Sequence, residues 1–332
     1  MKQIRSLSEM RGAAALAVTA CHISCFNHPF IIGNSEFPVL LFVMLSAFLC
    51  MYTSETKRTF SFQLKLLKIC PLYYLVTVFT FLLATIKPSF FNTTTPTPVN
   101  LIKSIFFIPY INPNGLVRPI LDVGWTLSAE ILLFLIFAIS AQLCFRYRGF
   151  ITGIFMFALY IIGFLFVPKH PIFVLYSRTL LAAIAGIFLY ALWCRTPQNT
   201  ASPNKCSSVF GIIPFIMLWG AMSICGSFSL NDFTRVLLVF LIGFVFLLKP
   251  EVPLFSRLFC FIGSISYPLY LTHQFVVKGF DRLIHPLRTL NPLNAVLGCI
   301  CILIAIVIAY IISRFIEPHL RIGKLTRKAL SN

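Results

Sequence analysis

The amino-acid sequence predicts an all-α polytopic membrane protein. Of its 332 residues, 58% are hydrophobic and 11% are charged, whereas a water-soluble domain usually carries about 25% charged residues. Apolar runs long enough to cross a bilayer recur along the whole chain. The lysines and arginines gather in alternate loops between these runs. A surface with so few charges cannot face water, so lipid is the expected solvent for most of it.

The apolar runs predict about ten transmembrane helices, since one crossing needs about 20 mostly apolar residues. They centre on residues 12–28, 37–53, 66–86, 125–145, 150–167, 172–194, 209–227, 233–249, 258–278 and 293–315. The longest loop between them runs from about residue 87 to residue 124. We expect one integral-membrane domain over residues 1–332, with no soluble domain appended.

The distribution of basic residues predicts that both termini face the cytoplasm. With the N-terminus inside, 18 of the 27 lysines and arginines fall on the cytoplasmic side, in agreement with the positive-inside rule. The formal net charge of +18 therefore indicates contact with anionic lipid headgroups, and nucleic-acid binding is not expected. The 11 cysteines show no metal-binding or redox spacing, so we expect no metal site.

Ionisable residues inside the spans indicate a functional site, because a charge in the membrane is costly. Arg11 and His22 lie in the first span, and at about 100° per residue they return to nearly the same helix face. A lone histidine there is more often a core residue bonded to a carbonyl. Glu130, however, lies in the fourth span at a similar depth in the outer half of the membrane. We expect contact between Glu130 and His22, which would make the imidazole a general base.

Two further clusters each have a structural explanation and a functional one. Tyr270 and His273 share a helix face, either as part of an interfacial aromatic belt or beside an acceptor site. Lys65 and Lys68 stand at the cytoplasmic mouth of the third span. They either follow the topology rule or form a seat for the phosphates of coenzyme A. The residues alone leave both pairs of alternatives open.

Five segments, in order along nearly the whole chain, resemble the motifs of acyltransferase family 3, whose members are integral-membrane acyltransferases that modify bacterial surface polysaccharides. The segments are Ile4–Leu16 with the Arg11 and His22 pair, Phe42-Val-Met-Leu-Ser46-Ala-Phe-Leu, Gly124-Trp125-Thr-Leu-Ser128-Ala-Glu130, Ser266-Tyr267-Pro-Leu-Tyr270-Leu-Thr-His273, and Phe315-Ile-Glu317-Pro318. One departure is that Lys65 and Lys68 stand where the family usually has two arginines. Lysine keeps the charge but lacks the two-pronged grip on phosphate.

The resemblance implies a membrane-bound O-acyltransferase of the stand-alone O-antigen acetylase type, in the bacterial inner membrane. It implies acetyl-CoA as the cytoplasmic donor, no permanently bound cofactor, and a hydroxyl of a lipid-linked or surface glycan, such as lipopolysaccharide O-antigen, as the acceptor. The catalytic residues would be His22 and Glu130. The donor-binding residues would be Arg11, Lys65 and Lys68. The acceptor-side residues would be Trp125, Ser128, Tyr270 and His273.

Two questions stay open at the level of the sequence. Direct attack of the sugar hydroxyl on the thioester and an acyl-histidine intermediate fit the same residues. A transporter or flippase of a lipid-linked glycan would also bury charges along a polar path. Against it, the chain shows no inverted repeat and few signs of broken helices.

Overall fold

The protein is built from helices, and the computed structural model describes residues 5–23, 36–91, 94–196, 211–248, 253–284 and 291–320. The helices are α1 (Arg5–Cys21), α2 (Glu36–Lys57), α3 (Phe62–Ile86), α4 (Pro98–Ile105), α5 (Trp125–Leu143), α6 (Arg148–Phe166), α7 (Pro171–Arg195), α8 (Ile213–Ser227), α9 (Asp232–Leu248), α10 (Pro253–Ser264), α11 (Ser266–Ile284), α12 (Asn291–Ile311) and α13 (Glu317–Leu320). A π-helical turn, Ile312–Ile316, links α12 to α13. Within the described ranges no strand forms, apart from an isolated bridge between Ile111 and Val117.

Six of the described helical segments are long and apolar enough to cross a membrane. They are Glu36–Lys57, Phe62–Ile86, Asp122–Leu143, Phe145–Phe166, Pro171–Arg195 and Val296–Leu320. These helices confirm the predicted all-α polytopic membrane fold. Helices also overlap every other predicted span, but the count of ten crossings stays a prediction. The two chain ends, which we expect in the cytoplasm, lie outside the described residues.

The predicted span 258–278 is interrupted in the structure. The helix α10 ends at Ser264 and α11 begins at Ser266, with a one-residue turn between them. Pro268 explains the break, because it has no N–H to donate to the Ser264 carbonyl and its ring would clash with that carbonyl. The Ser266 hydroxyl donates to the Gly263 carbonyl at 2.8 Å and so satisfies one of the acceptors left at the end of α10.

The first helix also ends earlier than the apolar pattern predicts. The pattern extends to residue 28, whereas α1 stops at Cys21, and residues 24–35 lie outside the described ranges. His22 occupies the turn that follows, where its backbone N–H donates to the Thr19 carbonyl at 3.2 Å. Bonds of this kind, three residues back, tighten the last turn of a helix. His22 therefore stands just past the helix end instead of inside the helix.

Contacts divide the chain into two compact units. The first unit comprises Met1–Phe48 and Ala185–Tyr310, and the second comprises Leu49–Ile184 and Ile311–Asn332. The helices α2 and α7 each contribute residues to both units. The prediction of a single domain over the chain stays a prediction.

In the first unit, α1 packs closely against α10. A Cβ atom at Gly12 would lie 2.2 Å from the carbonyl oxygen of Phe259, and one at Gly263 would lie 2.0 Å from that of Ser8. No side chain fits at either position unless the two backbones separate. Membrane helices commonly associate through small residues, because a close approach increases their van der Waals contact. This contact explains the run of small residues in α1 and holds the helix in the first unit.

In the second unit, hydrogen bonds of Ser104 in α4 hold the long loop that precedes α5. The Tyr73 hydroxyl donates to the Ser104 carbonyl at 2.9 Å, and the Ser104 hydroxyl accepts from the Ile120 N–H at 2.9 Å. Tyr110 also interacts with the Ser104 side chain, and burial raises the pKa of Tyr110 above its ordinary value. A loop held by buried hydrogen bonds can present residues in defined positions next to α5.

A buried arginine joins the ends of α2 and α6 in the second unit. The Arg148 Nε donates to the Ser54 hydroxyl at 2.7 Å, its Nη1 donates to the Phe145 carbonyl at 2.7 Å, and its Nη2 pairs with the Glu55 carboxylate. The guanidinium also lies 4.1 Å from the centre of the Phe145 ring. A charge this deeply buried must be paired and hydrogen-bonded to be tolerated. Arg148 is therefore an anchor between two helices.

Candidate functional site

Two imidazole rings meet in the first unit, although they come from opposite ends of the chain. The ring centroids of His22 and His273 lie 5.2 Å apart, and their planes are inclined by 34°. His22 follows α1 and is partly buried, whereas His273 lies in α11 and is 0% exposed. The sequence predicts a catalytic role for His22 and an acceptor-side role for His273. The structure brings the two rings together, and the roles stay predictions.

The hydrogen bonds of His273 indicate which of its ring nitrogens carries the proton. Its Nδ1 lies 2.8 Å from the Tyr270 carbonyl and 3.2 Å from the Leu269 carbonyl, both on its own helix. A carbonyl oxygen only accepts, so the proton belongs on Nδ1 and the lone pair belongs on Nε2. Within the described residues, this buried Nε2 has no hydrogen-bond partner. His273 is thus held as an acceptor whose free nitrogen faces away from its own helix carbonyls.

Tyr270 and Arg11 complete the predicted residues of the first unit. The Tyr270 ring is 8% exposed and lies 6.0 Å from the His273 ring and 5.6 Å from that of Phe42, measured between centroids. The shared helix face expected for Tyr270 and His273 is therefore present. Arg11 is partly buried on α1, immediately before the glycine at the contact with α10.

In the second unit, Lys65 and Glu130 both lie close enough to the Cys50 thiol for their charges to act on it. The Lys65 ammonium stands 5.1 Å from the centre of the Phe134 ring and 5.8 Å from that of Phe60. Contacts of this kind attract a cation to the ring face. Phe134 follows Glu130 by about one helical turn in α5. The sequence reasoning missed both aromatic rings.

The other predicted donor lysine has different surroundings. Lys68 is exposed, whereas Lys65 is partly buried between its aromatic neighbours. The two residues are three apart in α3, so they lie on neighbouring positions of one helix face. The two lysines carry the same charge in different surroundings. Lys68 is exposed, and Lys65 lies against an aromatic ring of α5.

The predicted acceptor residues of the second unit surround a tyrosine that sequence reasoning missed. The Tyr176 hydroxyl donates to the Trp125 carbonyl at 3.1 Å, and the Ser128 side chain lies within hydrogen-bonding range of the same hydroxyl. The Trp125 and Tyr176 rings meet edge to face with centroids 6.2 Å apart. Arg118, which forms an ion pair with Asp122 at 3.0 Å, acts electrostatically on Tyr176. Nothing in the sequence separates Tyr176 from the other tyrosines of the chain.

The nine predicted site residues fall into two sets. The first unit holds Arg11, His22, Tyr270 and His273, and the second holds Lys65, Lys68, Trp125, Ser128 and Glu130. The contact between His22 and Glu130 stays a prediction. Among the described residues, no three histidine, cysteine, aspartate or glutamate side chains are grouped so that they could hold a metal ion.

Comparison with known proteins gives two matches. A family model described as an acyltransferase domain matches residues 4–314. The exopolysaccharide production protein ExoZ of Rhizobium meliloti (strain 1021) is 26% identical over 264 residues, which cover 76% of this chain and 79% of that protein. No solved structure matches the chain significantly.

Proposed function

Because the chain belongs to the acyltransferase 3 family, we propose that it transfers an acetyl group from cytoplasmic acetyl-CoA to a hydroxyl of a surface polysaccharide such as lipopolysaccharide O-antigen. The family match over residues 4–314 confirms the resemblance of the sequence motifs, and the protein is a multi-pass membrane acyltransferase. Its similarity to an exopolysaccharide production protein supports a polysaccharide acceptor. The bacterial inner membrane is the proposed location, and acetyl-CoA is a substrate, with no resident cofactor required.

The close approach of the His22 and His273 imidazoles is the observation that carries the mechanism. Imidazole accepts and returns a proton near neutral pH more readily than other side chains. We assign His22 as the general base, which takes the proton of the sugar hydroxyl while the hydroxyl oxygen attacks the thioester carbonyl. The new C–O bond forms and the C–S bond breaks. The proton then passes from His22 to the departing sulfur of coenzyme A.

Glu130 is proposed as the second catalytic residue, with Lys65 in support. A carboxylate away from water is tolerated when a positive charge lies nearby. The Lys65 ammonium is directed towards α5 by the Phe134 and Phe60 rings and shares the surroundings of Cys50 with Glu130. A positive charge in these surroundings would stabilise the negative charge of the Glu130 carboxylate.

The donor seat is proposed to consist of Arg11, Lys65 and Lys68. The exposed Lys68 can reach the phosphates of coenzyme A, because its side chain lies at the protein surface. Arginine and lysine hold phosphate through charge-assisted hydrogen bonds. The partly buried Lys65 is expected to affect catalysis as well as donor binding.

The acceptor side is proposed to comprise Trp125, Ser128, Tyr270 and His273. The Trp125 and Ser128 pair is held by Tyr176, which contacts both residues. Aromatic side chains with a polar edge suit sugars, since they offer an apolar face and a hydrogen-bonding group together. Tyr176 would position this part of the acceptor side.

Transfer of labelled acetyl groups tests the proposed function. Membranes that carry the protein are incubated with labelled acetyl-CoA and an acceptor glycan, and label on the glycan is measured. Wild type should transfer label, and His22→Ala should lose about 100-fold or more of the rate, the usual worth of a general base. Full transfer by His22→Ala would remove His22 from the active role. Glycan transport without any label transfer would favour a flippase.

The two lysines provide a matched test of the donor seat. Lys68→Gln should raise the KM for acetyl-CoA by about 10-fold, the loss expected for a charge-assisted hydrogen bond to phosphate. Lys65→Gln should lower kcat more than it raises this KM, because Lys65 also supports Glu130. Equal effects of both substitutions on KM alone would limit Lys65 to phosphate binding.

A further inference from the structure

His273 presents a buried hydrogen-bond acceptor beside the proposed general base. Its Nδ1 is committed to the carbonyls of Tyr270 and Leu269, so its Nε2 carries a lone pair. Within the part of the chain that the structure describes, this Nε2 is buried and makes no hydrogen bond. Buried polar groups in native proteins are nearly always satisfied, and an exception needs an explanation. Hydrogen bonding during turnover is such an explanation.

The distance to His22 suits a direct hydrogen bond. Two imidazoles joined edge to edge by an N–H···N bond of about 3 Å have ring centroids about 5 Å apart. The centroids of His22 and His273 lie 5.2 Å apart. Catalytic hydrogen bonds are often loose in a protein without substrate and tighten in the substrate complex. In the substrate complex, the N–H of the partly buried His22 ring would then be donated to the His273 Nε2.

We propose that His273 is a positioning residue, whose Nε2 accepts the N–H of one ring nitrogen of His22 and directs the other ring nitrogen to take the sugar proton. This inference rests on the proposed function. Which nitrogen of a histidine is free depends on the hydrogen bond that the other nitrogen makes. Here an imidazole, itself locked by two backbone carbonyls, takes the place usually held by a carboxylate or a carbonyl.

The proton balance of the reaction is unchanged by this assignment. His22 receives the hydroxyl proton and becomes an imidazolium, and the hydrogen bond to His273 stabilises the positive charge. The proton then leaves for the sulfur of coenzyme A as the C–S bond breaks. His273 neither gains nor loses a proton, since its hydrogen stays on Nδ1, which donates it to the helix carbonyls.

Two amide substitutions distinguish the roles of the two ring nitrogens of His273. An asparagine amide reaches the position of Nδ1 and can keep the carbonyl bonds, but it offers no acceptor at the position of Nε2. A glutamine amide reaches the position of Nε2 and can present its oxygen there. His273→Asn should lower kcat by about 10- to 100-fold, the range for losing a group that orients a functional imidazole. His273→Gln should recover most of this loss, and both should leave the KM for acetyl-CoA within about 2-fold.

The experiment uses the full-length protein in membranes, with kcat expressed per folded protein and folding checked by the thermal unfolding midpoint. Thr272→Val is the matched control, because Thr272 is buried on the same helix turn and its hydroxyl donates to the Pro268 carbonyl of its own helix. It should keep the wild-type kcat. An equal fall in Thr272→Val, or an Asn variant as active as the Gln variant, would overturn the positioning role while wild type stays active. Absence of transfer by wild type would overturn the proposed function and this inference with it.

Discussion

The helices α1 and α6 have similar lengths, 17 and 19 residues, but α1 is mostly buried and α6 is mostly exposed. Twelve residues of α1 are buried, and most of them are alanine, glycine or other small residues. Only five residues of α6 are buried, and its exposed surface is rich in phenylalanine, isoleucine and leucine. Lipid tails are as apolar as these side chains, so bulky apolar residues gain little by leaving them. The interior is instead reserved for small residues that allow close packing.

The same contrast explains where the candidate site lies. The most apolar stretch of α2 is 72% buried, against 22% for Phe145–Phe166, which is the more hydrophobic of the two. In a membrane protein, high hydropathy therefore indicates a lipid-facing helix. The helix that carries Arg11 is among the less apolar ones. Polar side chains stay in the interior, where other protein groups can satisfy them.

The largest expected effect concerns the closest helix contact. Gly12→Ala places a methyl group 2.2 Å from the Phe259 carbonyl oxygen. Neither backbone can rotate away, so α1 and α10 must separate. We expect a loss of about 3 kcal/mol of stability or more, at the upper end for overpacking. The measurement is the thermal unfolding midpoint in detergent.

The matched control for Gly12 lies in α6. Among the residues that the structure describes, no heavy atom outside its own helix backbone and chain neighbours lies within 4 Å of a Cβ built on Gly153. Gly153→Ala should therefore be neutral or stabilise by about 0.5–1 kcal/mol, since alanine favours a helix. A stable Gly12→Ala variant, or an unstable Gly153→Ala variant, would break the comparison between a packed helix and a lipid-facing one.

The next effect concerns the buried anchor of α6. Arg148→Gln removes the charge that pairs with Glu55 and leaves the Ser54 hydroxyl without its donor. We expect a loss of about 1–3 kcal/mol, the usual result of leaving buried polar groups unsatisfied. Arg146→Gln, at a neighbouring exposed position, should change the unfolding midpoint little. Equal midpoints for the two variants would show that the anchor does not stabilise the fold.

An intermediate effect is expected where α6 contacts α7. A Cβ at Gly163 would lie 2.2 Å from the Phe173 ring. An aromatic side chain can rotate, whereas the backbone carbonyl at Gly12 cannot. Gly163→Ala should therefore destabilise by about 1 kcal/mol, the lower end for overpacking. A loss as large as that of Gly12→Ala would show that the ring is as rigid as a backbone.

The smallest effect concerns the lipid-facing surface. Phe157 is 53% exposed on α6. Phe157→Leu exchanges one apolar surface residue for another and should alter stability by less than about 0.5 kcal/mol, with unchanged acetyl transfer. A clear loss of either quantity would indicate that this face packs against protein.

Much of the fold follows from local pattern. Apolar runs place the helices because each span must satisfy its own backbone hydrogen bonds in lipid. The pairing of Tyr270 with His273 was also predictable, since residues three apart share a helix face. The helix break before Ser266 was not predicted, because the apolar run continues through it and is long enough for one span. Pro268 is the residue in the sequence that signals this break.

Relations between distant segments could not be read in this way. Helical periodicity relates residues within one helix and carries no information about which helices meet. The pairing of His22 with His273, the aromatic surroundings of Lys65 and the contacts of Tyr176 all depend on packing between helices.

The sequence by itself determined the membrane class, the family and the residue types available for chemistry, because these depend on composition and on short motifs. The tertiary structure decided which of those residues meet. It did so through close packing at glycines such as Gly12 and Gly263, where the absence of a side chain lets two backbones touch. It also decided that the free nitrogen of His273 is buried beside His22, because that position depends on where α1 ends and where α11 begins.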